Sequence, residues 1–138
     1  EWVWDFIGRL KKKSRTVILT THQMDEAEVL CDRIGLIHRG RLLDVGTPQE
    51  VIRRHWGSEI VEFLAASHES SYMANRLKEK GYSYEGRGSR FLVRLGEGQK
   101  ASDLFSLVQG AQFTARKPNL NDVFLSLAGT DLQNSEET

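Results

Sequence analysis

Thr16-Val17-Ile18-Leu19-Thr20-Thr21-His22-Gln23-Met24-Asp25-Glu26-Ala27-Glu28 is the stretch on which the fold turns. Its first five residues are short, β-branched and apolar on consecutive positions, the pattern of a strand buried on both faces as in a parallel sheet. Thr21-His22-Gln23 is polar, and Met24, Ala27 and Cys31 then fall on one side of a helix over 25–31. Strand, polar tip and helix in that order form the local grammar of an α/β fold, in which ligands bind beyond the carboxyl ends of the strands. Asp25, Glu26 and Glu28 resemble a metal cluster on paper. They lie in a first helical turn, where negative charge is favoured by the helix dipole alone.

Upstream, Trp2, Val3, Phe6, Ile7 and Leu10 share one helical face, so 1–12 reads as an amphipathic helix ending in the basic run Lys11-Lys12-Lys13. The chain opens without Met in a helix already under way, which suggests a piece of something longer. Downstream, Ile34–Ile37 and Leu42–Val45 flank Arg39-Gly40 and predict a tight hairpin. Thr47-Pro48-Gln49-Glu50 is a capping box with proline at the first helical position. The helix it starts runs to about His55, and Trp56-Gly57-Ser58 marks a boundary.

The second half changes rhythm. Val61, Phe63 and Ala65 alternate as one strand face. A helix over 69–80 bears Tyr72, Met73 and Leu77 and stops at Gly81. Tyr82–Glu85 and Arg90–Leu95 predict a hairpin around Gly86-Arg87-Gly88, with Phe91, Val93 and Leu95 inward. A helix follows over Ala101–Gln109 and a strand over Ala111–Ala115. Leu120, Val123, Phe124 and Leu127 give a closing helical stripe capped by Asn119, with Asp122 three residues on. The order is β-α-β-β-α-β plus a helix, the split βαβ or ferredoxin-like pattern. The expected domains are therefore 1–56, an α/β piece, and 58–129, a small α+β domain, with a disordered tail over 130–138.

Composition narrows the function. Lys+Arg and Asp+Glu both number 19 among 138 residues, so the basic surplus of a nucleic-acid binder is missing. Residues 1–56 carry ten basic and eight acidic groups, residues 57–138 nine and eleven, and neither half is a charged arm. The single cysteine, Cys31, excludes an internal disulfide framework and fits a reducing compartment. No run approaches the ~18 apolar residues of a membrane helix, and there is no signal peptide. No Ser/His/Asp or Cys/His arrangement has usable spacing, which argues against a free-standing enzyme.

Residues 16–28, together with Cys31-Asp32-Arg33-Ile34, Arg39-Gly40-Arg41 and Gly46-Thr47-Pro48-Gln49-Glu50-Val51, resemble the switch (H-loop) region of ABC-type transporter ATPases in order and approximate spacing. The resemblance covers about the first forty per cent of the chain. It implies that His22 is the switch histidine, which in that family contacts the γ-phosphate of ATP; an imidazole can donate a hydrogen bond to a phosphate oxygen. His38, His55 and His68 lack such context and are expected at the surface. Pro118-Asn119-Leu120-Asn121-Asp122-Val123-Phe124-Leu125-Ser126-Leu127-Ala128-Gly129 resembles the closing helix of the C-terminal domain on drug-exporter-type ABC ATPases. That implies a multidrug-export subgroup and a regulatory or dimer-stabilising role for the second half.

The family's phosphate-binding G-x-x-x-x-G-K-[ST] loop, its Mg²⁺ carboxylate, its catalytic Glu and its signature motif do not occur in this sequence. Gly86-Arg87-Gly88 lacks the following Lys-Ser/Thr and reads as a hairpin turn. The expectation is thus the C-terminal part of the ATP-binding subunit of an ABC exporter: an α/β remnant of the ATPase core followed by a ferredoxin-like domain. It should hold no cofactor or metal and neither bind nor hydrolyse ATP by itself. ATP and Mg²⁺, a membrane permease and a second ATPase subunit belong to the parent, which would lie in the cytoplasm, peripheral to the membrane. The alternative is a small-ligand-sensing or protein-association module in residues 58–129. Val17, Ile18 and Leu19 suit a sheet whose other strands are not in the sequence, so self-association of the chain is expected.

Overall fold

In the computed structural model, residues 2–108 and 112–136 are described, the side chains of 130–136 excepted. Twelve elements follow one another: α1 (Trp2–Lys12), α2 (Met24–Leu30), β1 (Ile34–His38), β2 (Arg41–Gly46), α3 (Pro48–Trp56), β3 (Ile60–Leu64), α4 (Ser70–Glu79), β4 (Ser83–Arg87), β5 (Arg90–Arg94), α5 (Ala101–Leu104), β6 (Phe113–Arg116) and α6 (Leu120–Glu136). They divide into two units, Glu1–Ile52 with Asn119–Thr138, and Arg53–Pro118. The expected boundary at 56–58 falls inside or just after α3, whereas the division lies at Ile52/Arg53. The closing helix, expected to belong with the second half, groups with the first unit instead. Where a disordered tail over 130–138 was expected, α6 continues through Glu136, and residues 137–138 lie outside the described residues.

In the first unit, the predicted strand over 16–20 does not form. Ile18 is 91% exposed and Val17 is also open to solvent. A parallel strand draws its stability from ladders on its edges, and among the described residues β1 pairs only with β2. With no paired strand beside 16–20 among the described residues, Val17 and Ile18 stay exposed while Leu19 is half-buried. Clefts of about 550 and 370 Å³ flank the segment.

The local predictions in this unit do form. Strands β1 and β2 pair antiparallel from Ile34↔Gly46 to His38↔Arg41, with a bulge at Leu36/Ile37. Arg39 and Gly40 both take positive φ, 49° and 74°, as a two-residue type I′ turn requires. Helix α1 closes with the Ser14 amide donating to the Lys11 carbonyl and the Arg15 amide to the Leu10 carbonyl. That pair of bonds is a Schellman ending, with Ser14 rather than glycine in the left-handed region. The capping box at α3 is reciprocal: the Thr47 amide donates to Glu50 Oε2 at 3.0 Å, and the Glu50 amide to Thr47 Oγ1 at 3.2 Å.

In the second unit, β3, β4, β5 and β6 form one sheet in the order β4-β5-β3-β6, with every pairing antiparallel. Alternation sends Val61, Phe63, Ala65, Phe91, Val93 and Leu95 to one face, where they meet Met73 and Leu77 of α4, Leu104 of α5 and Val108. Phe63 and Phe91 stack with ring centroids 5.2 Å apart. On the opposite face Glu62 ties three strands together, receiving Arg90 Nε and Arg116 Nε at 3.2 Å each. Tyr72, expected beside Met73 and Leu77, is 62% exposed, since it precedes Met73 on the helix and turns away from the sheet. Helix α4 ends as predicted: the Tyr82 amide donates to the Leu77 carbonyl and the Gly81 amide to the Lys78 carbonyl. The β4–β5 turn falls at Gly88-Ser89 rather than at 86–88, because Gly86 and Arg87 pair with Phe91 and Arg90. Helix α5 stops at Leu104 and continues only as turns. The predicted end of the 101–109 helix and the start of the 111–115 strand lie outside the described residues.

Candidate functional site

The loop between α1 and α2 is held by one carboxylate. Glu26 accepts a hydrogen bond from Thr21 Oγ1 at 2.9 Å and another from Trp4 Nε1 at 3.5 Å. Thr21 Oγ1 in turn accepts from the Gln23 amide at 3.0 Å, a local hydroxyl-to-backbone bond that fixes the turn two residues ahead of it. His22 stands between Thr21 and Gln23, so this network fixes the backbone on either side while leaving the imidazole exposed. The far end of α2 is fastened by Lys11, whose ammonium donates to the Leu30 carbonyl at 3.0 Å and to Asp32 Oδ1 at 2.8 Å. A cation at the carboxyl end of a helix suits its dipole. Beside it, burial pushes the Cys31 thiol above its usual range; Lys11 opposes the shift and Asp32 adds to it.

His22 lines an open cleft of about 390 Å³ with Gln23, Met24, Asp25 and Asn121. Asn121 comes from the first turn of α6, a hundred residues away in sequence. That turn is fixed by two sets of bonds. The Asn119 amide donates to Asp122 Oδ2 at 2.8 Å, and the Asp122 amide to Asn119 Oδ1 at 3.0 Å. The Leu120 amide donates to Glu28 Oε2 at 2.9 Å. Leu120 and Val123 are fully buried beneath it.

The three acidic residues that resemble a metal cluster thus go separate ways. Glu26 serves the loop, Glu28 serves α6, and Asp25 faces the cleft. Among the described residues no group of three or more His, Cys, Asp or Glu side chains is placed to hold a metal ion. The cleft offers N–H donors from His22, Gln23 and Asn121, suited to one anionic oxygen. Among the described residues that line it, Asp25 alone carries a carboxylate.

Of the other histidines, His68 is exposed, 3.8 Å from Glu69. His38, expected at the surface, packs edge-on against Phe124, with centroids 5.9 Å apart and planes at 82°. Its Nε2 is buried without a hydrogen-bond partner, because α6 covers that end of the hairpin. In the second unit a cleft of about 290 Å³ is lined by Arg76, Lys80, Tyr82, Asp103, Ser106 and Leu107. Sequence reasoning had Glu26 and Glu28 within the 16–28 segment but gave them only a helix-dipole role, and it did not connect Asn121 with that segment. Asp122 three residues after Asn119 signalled the cap of α6, but nothing in the sequence signalled the partner 92 positions away.

No protein-family model matches the chain. It is 33% identical to the Nod factor export ATP-binding protein I of Rhizobium etli over 139 aligned positions, which take in 95% of the chain and 41% of that protein. The protein of the same name from Mesorhizobium japonicum is 30% identical over 132 positions, 95% of the chain and 38% of the relative. The one from Rhizobium sp. strain N33 is 28% identical over 131 positions, 95% and 42% respectively. The chain therefore spans about two-fifths of the length of the curated relatives it matches. These relatives, matched over 95% of the chain, bear out the expected kinship with ATP-binding subunits of ABC-type transporters, which was read from residues 16–52 and 118–129.

Proposed function

We propose that this chain is the C-terminal part of the ATP-binding subunit of an ABC-type exporter, with His22 as the switch histidine that contacts the γ-phosphate of ATP in the whole protein. The observation that carries the reading is similarity over 95% of the chain to proteins named for ATP binding and export, of which it covers only about two-fifths. The exposure of His22 at the rim of a cleft with two carboxamides agrees with a phosphate contact. Binding the nucleotide and Mg²⁺ falls to parts of the parent outside this sequence. The cargo reading is that of the drug-exporter-type subgroup, while the relatives' own names carry Nod factor export.

In the parent the subunit works with a membrane permease and a second ATPase subunit, at the cytoplasmic side of the membrane. No helix among the described residues is long and apolar enough to cross a membrane itself, which agrees with a peripheral position. The Arg53–Pro118 unit is a ferredoxin-like module that steadies or regulates the ATPase pair. Its β-α-β-β-α-β order and its antiparallel sheet, with the first and third strands of the module in the centre, support that assignment. By itself the chain self-associates through the exposed segment around Val17 and Ile18.

Calorimetric titration of this chain with MgATP gives no micromolar binding. The full-length subunit hydrolyses ATP, and His22→Ala abolishes turnover there. Micromolar ATP binding by this chain, or full activity of the His22→Ala subunit, overturns the proposal.

A further inference from the structure

We infer that Glu28 is a positioning residue for the switch segment: it holds the first turn of α6 against α2, so that Asn121 forms a wall of the cleft that His22 lines. The inference rests on the proposed reading of His22 as the switch residue. Its basis is a long-range bond between these two helices, from the Leu120 amide to Glu28 Oε2 at 2.9 Å.

Helix α6 does not need Glu28 in order to begin. Its Asn119–Asp122 box already satisfies the cap and the third helical amide. The amide of the first helical residue has no partner inside a helix, and Glu28 supplies one from another element. What the bond adds is therefore location rather than initiation. A carboxylate at that pole is also favoured by the dipole.

Location matters because of what adjoins each end of the bond. Glu28 sits on the helix that begins two residues after His22. Leu120 immediately precedes Asn121, and Leu120 and Val123 are fully buried, so the turn that carries Asn121 cannot slide independently of its socket. A shift of α2 is thus handed to Asn121 through this charge-assisted bond. A carboxamide beside an imidazole places two N–H donors at one opening, and the second comes from the far end of the sequence. An anionic phosphoryl oxygen presented to His22 would enter the cleft that Asn121 also lines, where Asp25 is the one carboxylate among the described lining residues.

The test uses the whole chain in solution, with the His22 imidazole resonances and the exchange rate of the Leu120 amide as readouts. Glu28→Ala speeds Leu120 exchange by about tenfold or more and moves the His22 resonances. Glu28→Gln keeps an acceptor oxygen and restores both. Asn121→Ala, at an exposed position that folding tolerates, moves the His22 resonances and leaves Leu120 exchange unchanged. In the full-length subunit Glu28→Ala lowers kcat for ATP hydrolysis at unchanged KM, and Glu28→Gln recovers it. Unchanged Leu120 exchange in Glu28→Ala, or His22 resonances indifferent to Asn121→Ala, overturns the inference. If His22→Ala leaves the full-length subunit active, the switch reading falls, while the spectroscopic arm still decides whether Glu28 positions Asn121.

Discussion

Replacing Ile18 by Ser measures directly whether the segment over 16–20 is a strand in this chain. Full burial of an isoleucine side chain contributes about 1.5–3 kcal/mol. Ile18 is 91% exposed, so only about a tenth of that, roughly 0.1–0.3 kcal/mol, is available to lose. Substitutions away from packed or bonded sites stay within about 0.5 kcal/mol. Ile34, on β1 of the same unit, is 7% exposed, and Ile34→Ser removes a packed side chain and buries a hydroxyl, at a cost of about 2–5 kcal/mol. Urea unfolding followed by far-ultraviolet circular dichroism separates the two. With a slope of about 1–3 kcal/mol per molar urea, Ile18→Ser moves the midpoint by less than about 0.3 M and Ile34→Ser by more than about 0.7 M. The measurement is repeated over a range of protein concentrations. A loss of 2 kcal/mol for Ile18→Ser at the lowest concentration refutes the open segment and restores the buried strand. A loss that appears only at high concentration assigns Ile18 to a contact between copies.

Two further outcomes follow from the packing. Phe63, 1% exposed on the central strand β3 and stacked on Phe91, costs about 3–5 kcal/mol when replaced by Ala; a loss below 1 kcal/mol would contradict its place in the core. The Cys31 thiol, raised chiefly by burial, is alkylated by iodoacetamide with a pH midpoint above the usual cysteine range. Lys11→Ala moves that midpoint higher still by removing the one opposing charge. Because the folded chain holds this proton more tightly than the unfolded one, the associated stability is fully present below the unfolded thiol's pKa and is lost as pH rises through the folded value. A midpoint at or below the ordinary cysteine value would show that the thiol is not shielded.

What the sequence made legible was local. The Arg39-Gly40 turn, both capping boxes, the Gly81 stop and the alternation of β3 and β5 each depend on residues a few positions apart, and each forms. The element order of the second unit was legible for the same reason. What failed was non-local. Thr16–Thr20 has the composition of a central strand, but composition cannot supply the neighbours a ladder needs. The closing helix looked like the end of the second domain by position alone. Its place in the first unit depends on buried Leu120 and Val123 and on a carboxylate 92 residues earlier. At the candidate site His22 stood out by its context, whereas Asn121 had no signal of its own. It is one polar residue on an amphipathic helix, and only the tertiary structure sets it in the cleft that His22 lines.

The first unit is discontinuous: residues 53–118 are made between its two parts. On the ribosome this imposes an order of events. The helix that covers His38 and engages Glu28 is translated only after the whole second unit, which at about 5–20 residues per second takes roughly 3–13 s. For that interval the nascent first unit offers an apolar socket with its occupant still unmade, while the second unit already has every strand it needs. A chain that stalls or is cut after residue 118 would therefore release a finished second unit beside an open first one, the kind of surface that chaperones hold and proteases clear.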